Sequence, residues 1–178
     1  CLHTGCVPSK ALLASAKAIH LRRQGSEPGT TPGASAEIDF SQIMQRMREL
    51  RLRLSDHDSA QRLQQLGIDV FFGPARFENR RTLSVQESQI TFRRCILATG
   101  SRPAVPSIAG LDQTNYLTNE TLFSLTELPA RLSIIGAGPV GVEMAQAFRR
   151  FGSEVTLIDQ ASQLLPREDS EASQLLLE

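Results

Sequence analysis

One uninterrupted pattern in the carboxyl-terminal part constrains the fold more than any other feature of the chain. A compact apolar run, Leu132–Ile135, leads into the glycine-rich turn Gly136–Gly141, which has the spacing G-x-G-x-x-G. An amphipathic segment follows and ends at Gly152, and a second apolar run, Val155–Ile158, stops at Asp159. A dinucleotide-binding βαβ unit typically has this order of strand, tight turn, helix, second strand and terminal acid. The sequence therefore predicts an α/β protein with a Rossmann-like fold.

The glycine-rich turn has a physical role for each of its glycines. Gly136 permits the tight turn, Gly138 lets the backbone approach a pyrophosphate, and Gly141 lets helix and strand pack closely. Free N–H groups at the helix start attract phosphates. The predicted nucleotide-contacting residues of the turn are Gly136, Ala137, Gly138, Pro139, Val140 and Gly141. A βαβ unit that binds no nucleotide is the alternative interpretation.

Asp159 bears on which nucleotide is bound. Its carboxylate can accept hydrogen bonds from both ribose hydroxyls of NAD, and its charge repels the 2′-phosphate of NADP. The sequence therefore favours NAD over NADP, although Arg167 lies close enough in sequence to soften that preference.

Two cysteines at the amino end, Cys1 and Cys6, predict redox chemistry. In a regular helix their Cα atoms would be roughly 8.6 Å apart, whereas a disulfide tolerates about 4.4–6.8 Å. The segment must therefore form an irregular turn, which Gly5 can bend at low cost. Pro8 suits the first position of the following helix, and the positive end of that helix stabilises a thiolate at Cys6.

A metal half-site is the alternative interpretation of the cysteine pair. The usual zinc spacing is C-x2–4-C, but it comes with a second ligand pair elsewhere in the chain. No histidine has a suitable spacing, and Cys95 lies in an apolar run that predicts a buried, inert residue. We therefore predict no metal site.

The remaining segments are expected to form helices and short strands around these motifs. Helices are predicted from Pro8 to about Leu21 and from Phe40 to about Leu66, with a possible break at Ser55–Asp58 and a stop at Gly67. A surface connection is predicted over Gln24–Ala36. The predicted strands are Ile68–Phe72, Ala75–Phe77, Thr82–Val85, Gln89–Phe92, Cys95–Ala98 and Asn115–Thr118.

The bulk composition excludes several function classes. The chain has 178 residues, of which 40% are hydrophobic, and its formal net charge is zero, so neither nucleic acid nor an anionic membrane is an expected partner. No run is long enough to span a bilayer, and no signal peptide is visible. Four arginines, Arg46, Arg48, Arg51 and Arg53, are expected on the solvated face of an amphipathic helix. Few cysteines, two of them in a reactive motif, predict a cytoplasmic protein.

Three motifs together resemble the FAD-dependent pyridine nucleotide–disulfide oxidoreductases, particularly their mercuric reductase-like and dihydrolipoyl dehydrogenase branches. Residues Cys1–Lys10 are similar to the redox signature of that family. Residues Ala98–Pro103 are similar to its second flavin-contact motif, and Gly136–Glu143 to its NAD motif. His3 and Thr4 stand where asparagine and valine are common, a variation associated with the mercuric reductase-like branch. The resemblance covers essentially the whole chain.

The resemblance implies roles for individual residues. Cys1 would be the interchange thiol that attacks substrate, and Cys6 the charge-transfer thiolate beside the flavin. Lys10 would lie at the reactive edge of the flavin and pair with Glu143. The remaining implied FAD contacts are Thr99, Gly100 and Ser101, with the backbone near Ala75 meeting the adenine. As ordinary alternatives, Lys10 and Glu143 would be surface charges, and Thr99–Gly100 a strand-ending turn.

The resemblance also implies a reaction and a domain organisation. Electrons would pass between NAD(H), FAD and a Cys1–Cys6 disulfide, and then to or from a small disulfide, dithiol or metal–thiol substrate. Residues 1–110 would form part of an FAD-binding domain and residues 111–178 part of an NAD-binding domain. The fold class is thus α/β with a Rossmann-like two-domain arrangement.

Because the chain opens inside its own redox motif, we expect it to be truncated at the amino end, and the resemblance implies that further family segments lie downstream of Glu178. The resemblance then implies a homodimer for the full-length protein and an inactive isolated fragment. Two rival functions remain: an FAD-dependent NADH oxidase or ferredoxin reductase-like enzyme, and a non-catalytic nucleotide-binding module.

Overall fold

A computed structural model describes residues 1–25 and 38–177 of the chain. In these residues the helices are α1 (Cys6–Gln24), α2 (Phe40–Ser55), α3 (Ala60–Gln65), α4 (Pro139–Phe151) and α5 (Ser170–Leu175). The strands are β1 (Ala75–Asn79), β2 (Thr82–Val85), β3 (Ser88–Thr91), β4 (Arg131–Ile135) and β5 (Glu154–Ile158). The predicted connection Gln24–Ala36 lies, apart from its first two residues, outside the described residues.

The predicted βαβ unit is present. Strands β4 and β5 pair in parallel, in a register that sets Leu132 opposite Val155 and Ile135 opposite Ile158. Helix α4 connects them, as a parallel pair requires a crossover. Gly152 ends α4 in a left-handed conformation with φ of 117°, which a glycine adopts without steric cost. The mixed helix and strand content confirms the predicted α/β class.

The core lies where three helices and this parallel pair meet. Helix α4 packs against β4 and β5 and also against α1, and α1 packs against α2. Phe40 of α2 contacts both phenylalanines of α4, with ring centroids 5.9 Å from Phe148 and 5.8 Å from Phe151. The buried apolar residues of this cluster are Leu12, Ala16, Phe40, Met44, Met47, Leu122, Phe123, Met144, Ala147, Phe148 and Phe151. The redox segment and the dinucleotide unit therefore share one core.

Helix α1 begins two residues earlier than predicted. Cys6 is its first residue and Gly5 its N-cap, so Pro8 takes the third helical position and not the first. The position predicted for Pro8 was wrong. The reason given for it still holds, because every backbone N–H in the first turn lacks an intrahelical partner, so a proline costs no hydrogen bond there. Gly25 ends the helix with φ of 66°.

The long helix predicted from Phe40 is broken close to the predicted place. Helix α2 ends at Ser55, a 3-10 turn covers Asp56–Asp58, and α3 ends before Gly67, whose φ is 80°. Asp39 caps α2 by accepting a hydrogen bond from the N–H of Gln42 at 3.1 Å. The hydroxyl of Ser41 and this N–H hold the pKa of Asp39 below its usual value.

Strands β1, β2 and β3 form an antiparallel meander and confirm three of the predicted strands. The register pairs Leu83 with Ile90, and a bulge interrupts β1 between Phe77 and Asn79. Phe77 and Phe92 pack edge to face at 6.0 Å. The chain also forms a 3-10 turn at Leu122–Ser124.

Three predicted strands are absent from the described residues: Ile68–Phe72, Cys95–Ala98 and Asn115–Thr118. Their residues have strand propensity, but a strand also needs a neighbour to pair its backbone groups, and these segments find none in the described parts of the chain. Their apolar side chains are correspondingly open, with Phe72 70% and Ile96 90% exposed. Cys95 is exposed as well, so the prediction that it is buried was wrong.

In the described residues, no helix is both long and apolar enough to cross a membrane.

Candidate active site

The two thiols of the amino-terminal turn lie side by side. The Sγ atoms of Cys1 and Cys6 are 3.1 Å apart, and both cysteines are exposed and free. The turn is closed by a hydrogen bond of 3.2 Å from the N–H of Val7 to the carbonyl oxygen of Cys1. A disulfide requires about 2.05 Å between the sulfur atoms, so a movement of about 1 Å would join them. The irregular turn predicted from the spacing is present.

Gly5 allows this close approach because it lacks a side chain. A Cβ atom at this position would lie 3.2 Å from the Cα atom of Cys1, closer than such contacts normally are. Any larger residue would therefore require the backbone of Cys1 to shift by a few tenths of an ångström.

Two side chains from distant parts of the chain hold residues 1–5, which we call the redox turn. Asn119 donates its amide N–H to the carbonyl oxygen of Thr4 at 2.9 Å, and Arg51 donates to the carbonyl oxygen of His3 at 3.4 Å. Sequence reasoning missed both residues. Arg51 was expected on a solvated face with three other arginines, and nothing in the sequence distinguishes it from them. Asn119 belongs to no motif.

Lys10 and Glu143 form an ion pair between α1 and α4. Lys10 lies one helical turn beyond Cys6, and Glu143 lies in the second turn of the dinucleotide helix. The predicted pairing of these residues is present, with side chains 60% and 28% exposed. A pair this exposed contributes only about 0–1 kcal/mol to stability. The pair therefore matters for position, since it joins the redox helix to the nucleotide helix.

The glycine-rich turn has the geometry that its sequence predicts. Gly136 has φ of 109°, and its N–H donates to the carbonyl oxygen of Ile158 at 2.7 Å. A Cβ atom on Gly141 would overlap the carbonyl oxygen of Gly136, whereas one on Gly138 would meet nothing within 4 Å. Open space beside Gly138 at the start of a 13-residue helix is a cradle that suits a pyrophosphate. The residues present therefore fit a dinucleotide.

Asp159 is attached to the glycine-rich turn. Its Oδ2 atom accepts the N–H of Ala137, and its Oδ1 atom accepts the N–H of Ala161 at 2.7 Å. Both backbone hydrogen bonds hold the pKa of Asp159 below its usual value, and the one from Ala137 has the larger effect. Ala137 is also fixed through its carbonyl oxygen, which accepts the N–H of Leu165 at 2.9 Å. Asp159 thus stabilises the turn, a role that its ribose-binding motif does not reveal.

The remaining predicted flavin contacts are on other segments of the chain than the redox turn. Ala75 begins β1, and Thr99, Gly100 and Ser101 form an exposed, irregular segment in which Gly100 has φ of 73°. Among the described residues, no hydrogen bond joins these four to Cys1, Cys6 or Lys10. Their contact with FAD stays a prediction. The described parts of the chain also hold no group of three or more His, Cys, Asp or Glu side chains placed to bind a metal ion.

A Rossmann-type turn and a close pair of exposed thiols, on helices of one core, are expected of a nucleotide-dependent disulfide oxidoreductase. Comparison with known proteins agrees: the family model described as pyridine nucleotide-disulphide oxidoreductase matches residues 1–178, which is the whole chain. The chain therefore belongs to the pyridine nucleotide-disulphide oxidoreductase family, and the resemblance seen in its motifs is confirmed. Proteins of this family depend on FAD and a pyridine nucleotide.

Individual relatives place the chain near mercuric reductases and disulfide reductases. It is 35% identical over 176 residues to a mercuric reductase of Bacillus cereus, covering 99% of this chain and 28% of that protein. It is 39% identical over 171 residues to a mercuric reductase of Serratia marcescens, covering 89% and 36%. The HOCl-induced flavoprotein disulfide reductase RclA from Escherichia coli superposes with a TM-score of 0.79 at 32% identity, covering 99% and 37%. The chain thus spans about a third of the length of these relatives.

Proposed function

We propose that the protein passes electrons between NAD(H), FAD and the Cys1–Cys6 pair, and exchanges them with a disulfide, dithiol or metal–thiol substrate. The observation that carries the proposal is the separation of 3.1 Å between the two exposed sulfur atoms. The Lys10–Glu143 pair supports it, because it connects the helix that carries Cys6 to the helix that begins at the nucleotide turn.

The roles of the two thiols are those that the family resemblance implies. Both are exposed, and Cys1, which precedes α1, is proposed as the interchange thiol that meets the substrate. Cys6, the first residue of α1, is proposed as the charge-transfer thiolate beside the flavin. FAD, when bound, supplies the two-electron connection between the nicotinamide and this thiolate. Lys10 and Glu143 are proposed to flank it.

Thiol exchange would complete the reaction. The Cys1 thiolate attacks one sulfur of the substrate disulfide, which forms a mixed disulfide and releases the first substrate thiol. Cys6 then attacks the Cys1 sulfur, which restores the Cys1–Cys6 disulfide and releases the second thiol. Two electrons move from the dithiol to the substrate, and the pair is ready to be reduced again. A metal–thiol substrate would enter by the same thiolate, Cys1.

The nucleotide half is proposed to bind NAD through Gly136–Gly141, with Asp159 opposing a 2′-phosphate. We also propose the division of the chain into an FAD-binding part, residues 1–110, and an NAD-binding part, residues 111–178, in a cytoplasmic homodimer. The 178 residues alone should retain little FAD and show negligible turnover. Purification of this chain with a stoichiometric yellow cofactor would contradict that expectation.

A glutathione redox buffer tests the central claim on the chain itself. We expect the oxidised chain to lose two free thiols and the mass of two hydrogen atoms, with peptide mapping that joins Cys1 to Cys6. Cys6→Ser should abolish this bond. Cys95→Ser is the matched control, because Cys95 is also an exposed free thiol, and it should leave the bond intact. A chain that forms no Cys1–Cys6 disulfide, or that joins either cysteine to Cys95, would overturn the proposal.

A further inference from the structure

The turn that carries the two thiols has little local support. Residues 1–5 precede α1, and within the turn the N–H of Val7 closes on the carbonyl oxygen of Cys1. Of the four carbonyl groups between the cysteines, that of Gly5 accepts the N–H of Ser9, whereas those of His3 and Thr4 are held by side chains 48 and 115 positions away in the sequence. The backbone between the two cysteines is therefore held in part by the side chains of Arg51 and Asn119, which lie outside the turn.

Asn119 is a rigid support for this turn. The 3-10 turn after it is tied back by the N–H of Leu122, which donates to the carbonyl oxygen of Thr118 at 2.8 Å. The hydroxyl of Thr121 accepts the N–H of Thr118 at 3.0 Å. Leu122 and Phe123 are buried in the core. The segment that carries Asn119 is thus held in place by its own contacts, so it cannot easily move with the redox turn if that turn opens.

Arg51 supports the turn from the opposite part of the chain. It lies on α2, which is anchored in the core by Met44 and Met47, and its side chain is partly buried. Its hydrogen bond of 3.4 Å to His3 is longer than that of Asn119 and should be weaker. Asn119 is therefore expected to be the stronger of the two supports.

We propose that Asn119, assisted by Arg51, is a positioning residue that holds the redox turn in its closed form and so favours the Cys1–Cys6 disulfide over the dithiol. The inference rests on the proposed function, in which this pair is the redox centre. Joining the sulfur atoms costs less conformational entropy when the chain between them is already ordered. Loss of the support leaves a turn with more open conformations, and the disulfide becomes easier to reduce.

The dithiol–disulfide equilibrium in glutathione buffer measures the effect directly. In Asn119→Ala, the ratio of disulfide to dithiol at a fixed buffer composition should fall by about threefold to tenfold, as expected for one partly buried hydrogen bond. Asn119→Asp has the same size but its carboxylate cannot donate to Thr4, so it should show at least the same fall. Arg51→Ala should show a smaller one.

Matched controls separate positioning from general destabilisation. Asn115→Ala and Arg53→Ala remove exposed side chains of the same types from the same segments, and both should keep the wild-type ratio. Thermal unfolding of each variant in its reduced form shows whether the fold is retained, and Asn119→Asp serves if Asn119→Ala does not fold. Wild-type ratios in folded Asn119→Ala and Asn119→Asp would overturn this inference alone. Absence of the disulfide in the wild type would contradict the proposed function as well.

Discussion

Gly138 and Gly141 belong to one turn, but the missing side chain matters for a different reason at each. At Gly141 an added methyl group would overlap the carbonyl oxygen of Gly136, so the glycine is needed for the fold. At Gly138 an added methyl group would point into open space, so the glycine is needed only if something else occupies that space. This contrast separates the structural from the functional content of the motif.

Gly141→Ala should therefore destabilise the protein. Helix α4 would have to move away from the turn to relieve the overlap, and overpacking of this kind typically costs about 1–3 kcal/mol. Urea unfolding followed by circular dichroism measures the change in the free energy of unfolding.

Gly138→Ala is the matched control for stability and a test of binding. It should change the free energy of unfolding much less than Gly141→Ala, yet weaken binding of NADH, measured by quenching or enhancement of its fluorescence. Equal destabilisation by the two substitutions would contradict the assigned roles.

Asp159 should make stability depend on pH in the acid range. Its pKa in the folded chain lies below the ordinary value of 3.8, because Ala137 and Ala161 donate N–H groups to the carboxylate. A lowered pKa stabilises the folded state above the unfolded pKa, and this stabilisation is lost as the pH falls through the folded pKa. Unfolding free energies of wild type and Asp159→Asn should therefore differ most near neutral pH and converge below about pH 4. A difference that stays constant from pH 7 to the acid range would contradict this account.

Single residues were predictable only where a motif contains them. The pairing of Lys10 with Glu143 followed from the family resemblance, and the glycines followed from the physics of a nucleotide turn. Arg51 and Asn119 were not predictable, because they act through hydrogen bonds to backbone carbonyls whose partners are set by the tertiary fold. Asp159 was predicted to be a nucleotide ligand, but its hydrogen bond from Ala137 became visible only when β5 and the turn were placed together.

At the scale of elements, local signals were sufficient for helices and hairpins. Helices satisfy their backbone hydrogen bonds within one segment, so apolar spacing and glycine stops place α1, α2 and α4 to within a few residues. Strands β1 to β3 pair with their sequence neighbours. Two further strands, Ile68–Phe72 and Cys95–Ala98, were predicted from composition alone. Composition does not show whether a neighbouring strand is available for pairing.

At the scale of the molecule, stability should depend on the aromatic cluster shared by α2 and α4. Phe148 is fully buried and contacts Phe40 and Phe151. Phe148→Ala should lower the free energy of unfolding by about 3–5 kcal/mol, from lost burial and the cavity left behind. Phe77→Ala, in the half-exposed aromatic pair of the meander, is the control and should cost much less. Similar losses in urea unfolding would show that this cluster does not dominate stability.

The domain division at residue 110 stays a prediction. The family resemblance implied this division, which falls at the end of a crossing segment with prolines and a glycine, residues 101–110. The core itself spans that crossing, since Leu12 and Ala16 of the amino-terminal part are buried with Met144 and Ala147 of the carboxyl-terminal part.

This shared packing of α1 and α4 has a mechanical consequence. A hinge between the cysteine turn and the glycine turn would have to shear tightly interlocked side chains, which resist small displacements. We therefore expect the distance between the two turns to stay the same whether or not a nucleotide is bound. Spin labels placed on the solvent faces of the two helices should report one narrow distance distribution in every redox condition.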